Sequence, residues 1–233
     1  MDKIKTGIKG FDKLVQGGFP KGKTVLLSGT PGTGKTIFAL QYLYNGATKF
    51  DEKGLYITFE EKTENLKNQA KQFGWDFDKL EKERKVKLVF IPSSDLSKNT
   101  VDDIIKTAQS SKVSRLVIDS LSTLSINTPT VATNVTDLGE FTIKRFIYSF
   151  IDGLKVLEDV TTLLISQNIS EDFLSSDKVS EFLCDGVIHL IYESMGGEFS
   201  RSLIVRKMRE VKNDEDVHPV EIGNNGLVVH DIK

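Results

Sequence analysis

The segment Gly29–Thr36 has the residue spacing of a phosphate-binding loop, G-x-x-x-x-G-K-[ST]. Its glycines let the backbone curl so that successive N–H groups point at phosphate oxygens. In this pattern Lys35 reaches the β- and γ-phosphates of a nucleotide, and the hydroxyl of Thr36 is a magnesium ligand. We therefore predict a site for ATP and Mg²⁺ here, with further nucleotide contacts from Thr30, Pro31, Gly32, Thr33 and Gly34.

An acidic residue, Asp119, follows the apolar run Leu116–Ile118. A strand that ends in an acid is typical of a Walker B segment, in which the carboxylate holds the magnesium ion through water, opposite Thr36. The alternative is an aspartate that only caps the next turn. We predict that Asp119 is the second residue of the metal site.

Two adjacent carboxylates, Glu60 and Glu61, follow the apolar run Leu55–Phe59, which is the first run after the predicted phosphate-loop helix. Hydrolysis of ATP needs a group that orients or deprotonates the attacking water, and adjacent carboxylates raise one another's pKa. The sequence leaves open which of the two is the base. Gln167 likewise follows the end of an apolar run, Thr162–Ile165. Two interpretations stay open: its side chain senses the γ-phosphate, or it is a plain turn residue.

These residues need a scaffold, and short apolar runs alternate with longer mixed segments along the chain. Continuous apolarity is typical of strands that are covered on both faces, and the alternation predicts an α/β fold with a mostly parallel sheet flanked by helices. The predicted strands are Thr24–Ser28, Leu55–Phe59, Leu88–Ile91, Leu116–Ile118, Thr162–Ile165 and Gly186–Ile191. The predicted helices are Thr36–Lys49, Glu64–Phe73, Val101–Gln109, Glu140–Glu158 and Val179–Cys184.

The C-terminal part has a different pattern. Arg201–Arg209, Val220–Ile222 and Leu227–His230 are predicted to be antiparallel strands, the last two joined by the turn signal Asn224-Asn225-Gly226. No linker-like segment divides the 233 residues, so we expect one domain, 1–233.

Composition excludes several classes of protein. A net charge of −2 gives no general affinity for nucleic acid or for an anionic membrane, and no apolar run is long enough to span a membrane. The one cysteine, Cys184, cannot form an intrachain disulfide, and we expect a cytoplasmic protein.

The motifs together resemble the KaiC-type domain of the RecA-like ATPase superfamily, over nearly the whole chain. The resemblance rests on the phosphate loop and on Thr6–Leu14, Gly17–Gly22, Phe59–Glu61, Phe73–Asp76, Ile118–Ser120, Lys207–Arg209 and His218–Pro219.

The resemblance implies a RecA-like P-loop NTPase core that hydrolyses ATP with Mg²⁺. It further implies a homo-oligomer, a hexameric ring with ATP at the subunit boundaries, and a regulatory or signalling role. The resemblance also implies that Lys207 and Arg209 reach the nucleotide of the neighbouring subunit in such a ring. Residues two apart on a strand point to the same face, so both cations could reach one phosphate. Two departures stand out: clock KaiC has two such domains where this chain has one, and Glu210 follows Arg209 where the family often has glycine.

Three other functions are weighed against this one. A RadA- or RecA-like DNA-dependent ATPase of recombination or repair needs basic channel loops, whereas Ile126–Gly139 has no Lys or Arg and Asn168–Gly186 has one lysine against five acids. An autophosphorylating kinase is suggested by the many hydroxyls of Ser120–Thr136. A non-hydrolysing ATP switch that presents surfaces to an unknown protein partner uses almost the same residues. We expect no binding of DNA through the pore.

Overall fold

The computed structural model describes residues 2–97, 99–127, 136–168, 173–193 and 200–232. Its strands are β1 (Lys3–Ile4), β2 (Phe19–Pro20), β3 (Thr24–Gly29), β4 (Gly54–Thr58), β5 (Val86–Phe90), β6 (Arg115–Asp119), β7 (Thr161–Gln167), β8 (Gly186–Tyr192), β9 (Arg201–Met208), β10 (His218–Gly223) and β11 (Gly226–Val229). Its α-helices are α1 (Phe11–Leu14), α2 (Lys35–Lys49), α3 (Thr63–Lys71), α4 (Phe77–Lys82), α5 (Thr100–Ser111), α6 (Leu121–Ile126), α7 (Thr136–Leu154) and α8 (Ser180–Leu183).

Nine of these strands form one sheet in the order β11-β10-β9-β8-β3-β7-β6-β4-β5. The six strands from β8 to β5 in this order are parallel, and β9, β10 and β11 continue the sheet as antiparallel strands. The predicted α/β fold with a mostly parallel sheet and antiparallel C-terminal strands is thus confirmed. Because parallel strands end at the same edge, this order collects the ends of β3, β4, β6 and β7 on one side of the molecule.

Helices cover the sheet on both faces, which explains the continuous apolarity of the strands. Every residue of β3 is buried. Leu27 packs in a core with Tyr42 of α2, whereas its neighbour Leu26 packs in a second core with Ile104 of α5 and Phe150 of α7. Alternate residues of one strand therefore stabilise opposite faces of the sheet.

Each predicted strand and helix is present, with ends that differ by a few residues. The α-helices and strands that the sequence did not predict are short: the antiparallel pair of β1 and β2, and the helices α1, α4 and α6. These three helices have only four to six residues and show no clear periodicity in the sequence. α4 begins at a cap, Asp76, whose side chain accepts a hydrogen bond from the N–H of Lys79. No helix among the described residues is long and apolar enough to cross a membrane.

Candidate nucleotide-binding site

The predicted phosphate loop connects the end of β3 to the start of α2. Gly32 and Gly34 have φ values of 82° and 100°, which only glycine adopts without strain. A Cβ atom on Gly34 would also lie 2.8 Å from Cδ1 of Ile222 in β10. The hydroxyl of Thr33 donates to the carbonyl of Thr30 at 2.9 Å and closes the loop. Glycine is therefore required where the sequence pattern has it.

A cavity of about 290 Å³ lies beside this loop and brings together most of the predicted site residues. Its lining comes from the loop, from the ends of β4, β6 and β7, from α3, and from β9 and β10. It includes Pro31, Gly32, Gly34, Lys35, Thr36, Glu60, Gln69, Asp119, Ser120, Gln167, Arg201 and Ile222. The buried side-chain oxygen of Gln69 has no hydrogen-bond partner among the described residues. A polar cavity with an unpartnered acceptor suits a polar ligand.

The ammonium group of Lys35 lies against the loop that it is predicted to serve. Its Nζ donates to the carbonyls of Gly29 at 2.7 Å and of Thr30 at 2.9 Å. Burial lowers the pKa of Lys35, while the nearby carboxylates of Asp119 and Glu60 act in the opposite direction. Charged phosphate oxygens would be stronger hydrogen-bond acceptors for this ammonium group than the two carbonyl oxygens are.

The predicted metal-site residues, Thr36 and Asp119, are brought together. The hydroxyl of Thr36 is 3.5 Å from Oδ2 of Asp119, and the same oxygen accepts a hydrogen bond of 2.6 Å from the hydroxyl of Tyr56. Burial raises the pKa of Asp119 to about 6, against the opposing influence of Tyr56 and Lys35. A hydroxyl beside a carboxylate is a set of hard oxygen ligands, so these residues fit Mg²⁺.

The two candidate bases have different surroundings. Oε1 of Glu60 accepts hydrogen bonds from the hydroxyls of Ser120, at 2.9 Å, and Thr123, and Glu60 lines the cavity. Glu61 is outside the lining of the cavity, and its backbone N–H donates to the hydroxyl of Thr58 at 3.1 Å. Burial, and then the charge of Glu60, raise the pKa of Glu61. Glu60 is therefore the carboxylate closer to the predicted phosphate site.

Gln167 stands at the end of β7, beside the phosphate loop. Its backbone pairs with Gly29 in the parallel register of β3 and β7, and its N–H donates to the hydroxyl of Ser122 at 2.8 Å. Its side chain is exposed and lines the cavity. The position is consistent with the predicted contact to the γ-phosphate.

Lys207 and Arg209 do not reach this cavity. Nζ of Lys207 donates to the carbonyl of Glu181 at 2.8 Å, and Nη2 of Arg209 donates to the carbonyl of Phe182 at 3.2 Å. Both cations thus point to α8, on one side of the sheet, as the strand periodicity predicts. Because β9 runs antiparallel to β8, they lie near the start of the parallel strands, at the edge opposite the phosphate loop.

The turn after β9 accommodates the residue that departs from the family pattern. Glu210 has a φ of 66°, a left-handed conformation that favours glycine. Its Oε1 forms an ion pair of 2.9 Å with Nζ of Lys23. The side chain therefore points toward the start of β3.

Two residues of the site were missed in the sequence: Arg201, which lines the cavity, and Tyr56, which contacts Asp119 from outside the lining. Nε of Arg201, at the start of β9, donates to the carbonyl of Gly32 at 3.1 Å, and its guanidinium lies 4.8 Å from the ring centre of Tyr192. The pairing of β8 with β3, which brings Arg201 on the neighbouring β9 to the loop, is long-range and has no local signal. Tyr56 lies inside an apolar run and has the appearance of a core residue in the sequence.

Some predictions fall on residues outside the described ranges. Thr128, Thr130 and Thr133, on which the autokinase alternative partly rests, belong to this group, as do 129–135 and 169–172 of the two loops weighed for DNA binding. Among the described residues, no cluster of three or more His, Cys, Asp or Glu side chains could hold a metal ion. A magnesium site here would depend on the nucleotide for further ligands.

Comparison with known proteins finds relatives that align with nearly the whole chain. Residues 4–233 match the family described as "ATPase: KaiC". A UPF0273 protein of Methanocaldococcus jannaschii is 34% identical, with 99% of this chain and 97% of that protein aligned. The circadian clock oscillator protein KaiC of Prochlorococcus marinus is 32% identical over 98% of this chain, which spans 45% of that longer protein.

A solved structure supports the same conclusion about the fold. The crystal structure of a KaiC-like protein from Pyrococcus horikoshii superposes with a TM-score of 0.86 and 36% sequence identity, covering 99% of each chain. Its likeness confirms the RecA-like arrangement, with the antiparallel C-terminal strands as part of the same sheet.

Proposed function

The chain belongs to the KaiC family of ATPases, and we propose that it hydrolyses ATP with Mg²⁺ at sites shared by two subunits of a homo-oligomeric ring. One observation carries the proposal. The phosphate loop and the basic pair Lys207 and Arg209, which the resemblance to KaiC-type domains assigns to one site, lie at opposite ends of the parallel strands in a single chain.

The strand register shows how far apart they are. Lys207 pairs with Val187, whereas the loop begins beside Leu190 of the same strand, three residues further along β8. At about 3.3 Å per residue, the backbone of Lys207 is roughly 10 Å behind the start of the loop, and Arg209 lies further back. Both side chains also extend toward α8 rather than along the sheet. A second copy of the chain can bring its Lys207 and Arg209 to the phosphate loop of the first, since head-to-tail contacts between copies close into rings.

Each residue of the shared site then has a defined task. Lys35 exchanges its two loop carbonyls for the β- and γ-phosphate oxygens, and Thr36 and Asp119 hold the magnesium side of the nucleotide. Mg²⁺, when bound, neutralises the charge that develops on the phosphates. Glu60 orients the attacking water, with its own orientation set by Ser120. From the neighbouring subunit, Arg209 stabilises the transferring phosphoryl group as an arginine finger.

Mixing two inactive variants tests the sharing of the site. Lys35→Ala lacks nucleotide binding but keeps Arg209, and Arg209→Ala lacks the finger but keeps the loop. We expect each variant alone to lose hydrolysis, while an equal mixture, unfolded and refolded together or co-expressed, recovers about a quarter of the wild-type rate, because one boundary in four combines an intact loop with an intact finger.

The alternatives give other results. If the mixture is as inactive as each variant alone, and light scattering shows that the wild type hydrolyses ATP as a monomer, the whole reaction takes place within one chain.

The other candidate functions have their own signatures. A wild type that assembles with Mg²⁺-ATP but does not hydrolyse it would favour the non-hydrolysing switch. A mass increase of 80 Da in the wild type after incubation with Mg²⁺-ATP would indicate the autokinase, and stimulation of hydrolysis by single-stranded DNA would support the RadA-like alternative. The family resemblance further implies that the ATPase has a regulatory or signalling role, which is compatible with an unknown protein partner.

A further inference from the structure

A buried hydroxyl group lies at the centre of the proposed metal site. Tyr56 is fully buried in β4, the strand that separates β5 from β6. Its hydroxyl donates to Oδ2 of Asp119 at 2.6 Å. The hydroxyl of Thr36 is 3.5 Å from the same oxygen. Three oxygen atoms from β4, β6 and α2 thus converge on one point.

The phenol constrains the carboxylate more than packing alone would. An aspartate rotates about two single bonds, and a charge-assisted hydrogen bond to one oxygen fixes the direction of the other. The main chain adds to this constraint, because Thr58 pairs with Asp119 in the parallel register of β4 and β6. Tyr56 therefore approaches the carboxylate from the neighbouring strand, where its ring is held by the core.

We propose that Tyr56 is the positioning residue of the magnesium site and sets the affinity of the nucleotide complex for Mg²⁺ by orienting Asp119. The proposal rests on the proposed function. It assigns to Tyr56 no contact with the nucleotide, so the affinity for nucleotide without the metal is independent of the hydroxyl. Partners of ligating carboxylates typically contribute about 10- to 100-fold to metal affinity.

The chain offers a matched control. Tyr42 is also a fully buried tyrosine, and its hydroxyl is 3.5 Å from the carbonyl of Thr161, far from the lining of the nucleotide cavity. Tyr56→Phe and Tyr42→Phe each remove one buried hydroxyl and keep the ring. A purely structural role would give the two variants similar properties at the nucleotide site.

The experiment measures binding of fluorescent ADP by the full chain at pH 8, first in EDTA and then in a titration with Mg²⁺. We expect Tyr56→Phe to bind the nucleotide in EDTA within about twofold of the wild type and to need about 10- to 100-fold more Mg²⁺ for the half-maximal change. Tyr42→Phe should need the wild-type concentration of Mg²⁺.

The outcomes separate the two proposals. An unchanged Mg²⁺ requirement in Tyr56→Phe, with a normal response in the wild type, would overturn the role of Tyr56 and leave the ATPase proposal intact. An equal weakening of nucleotide binding in EDTA and in Mg²⁺ would also overturn it. A wild-type protein that binds no nucleotide would overturn both. Far-UV circular dichroism and a urea titration of each variant show whether the fold has been kept.

Discussion

Replacing Asp119 by asparagine should make the nucleotide-free protein more stable while it removes function. The carboxyl group is partly buried in the wall of the cavity, and this desolvation raises its pKa from the ordinary 3.8 to about 6. A carboxyl group whose pKa is higher in the folded state holds its proton more tightly there, so the free energy of unfolding falls as the pH rises from about 4 to beyond 6. Asparagine has nearly the same shape and never ionises.

The size of the effect follows from the pKa. One pKa unit is equivalent to about 1.4 kcal/mol, so an ionised Asp119 costs the folded protein about 3 kcal/mol at pH 8. At pH 5, where the folded protein is still mostly protonated at this position, the cost is about 1.5 kcal/mol. Asp119→Asn should therefore raise the free energy of unfolding by up to these amounts, with the larger gain at the higher pH.

Urea denaturation at pH 5, 6, 7 and 8, in EDTA and without nucleotide, measures this difference. The exposed Asp216 provides a control, and Asp216→Asn should change the stability little at any pH. With Mg²⁺-ATP present, the order should reverse, because only the wild type gains the free energy of metal-dependent binding. A variant that is no more stable than the wild type at pH 8, or a gain that does not depend on pH, would refute the assignment of Asp119 as a partly buried, energetically costly carboxylate.

Two further predictions concern packing and the identity of the base. Gly46→Ala in α2 should lower the free energy of unfolding by about 1–3 kcal/mol, because the new Cβ would lie 2.6 Å from Cδ and 2.7 Å from Cζ of the buried Arg115. Gly139→Ala in α7, with no atom within 4 Å of its Cβ, should be neutral or raise the stability by up to about 1 kcal/mol, and equal urea midpoints for the two variants would contradict this. Glu60→Gln should lower kcat by about 100- to 10,000-fold and Glu61→Gln by less than about tenfold in a phosphate-release assay. The reverse order would make Glu61 the base.

The sequence was sufficient for the sheet and for the half of the site that is local in the chain. The apolar runs are continuous because helices cover both faces, and the phosphate loop is recognisable because its glycines adopt positive φ values within a few residues. Asp119, Glu60 and Gln167 could be placed since each follows a strand of a parallel sheet, and such strands end at a common edge.

The contacts that were missed join residues far apart in the sequence, which no local pattern of residues can predict. Arg201 reaches the carbonyl of Gly32 across 169 positions of sequence, because β8, to which β9 is added, pairs with the distant strand β3. Arg115 is fully buried although it is charged, because Glu52 and the carbonyls of Tyr42 and Lys5 accept its hydrogen bonds. A charged residue at the start of a strand gives no sign of such partners in the sequence.

The two halves of the proposed shared site are rigidly linked through β3. The strand carries the phosphate loop at its end, and at its start Thr24 accepts a hydrogen bond of 2.8 Å from the N–H of Asp185. Asp185 in turn accepts a bond of 2.8 Å from the N–H of Arg209. The spacing between loop and finger is therefore set by β3, whose first and last residues are roughly 17 Å apart in an extended strand, rather than by a mobile segment. In a ring, Arg209 of one subunit could then reach the nucleotide of its neighbour only if the whole sheet were correctly positioned against that neighbour. Hydrolysis would thereby be coupled to assembly.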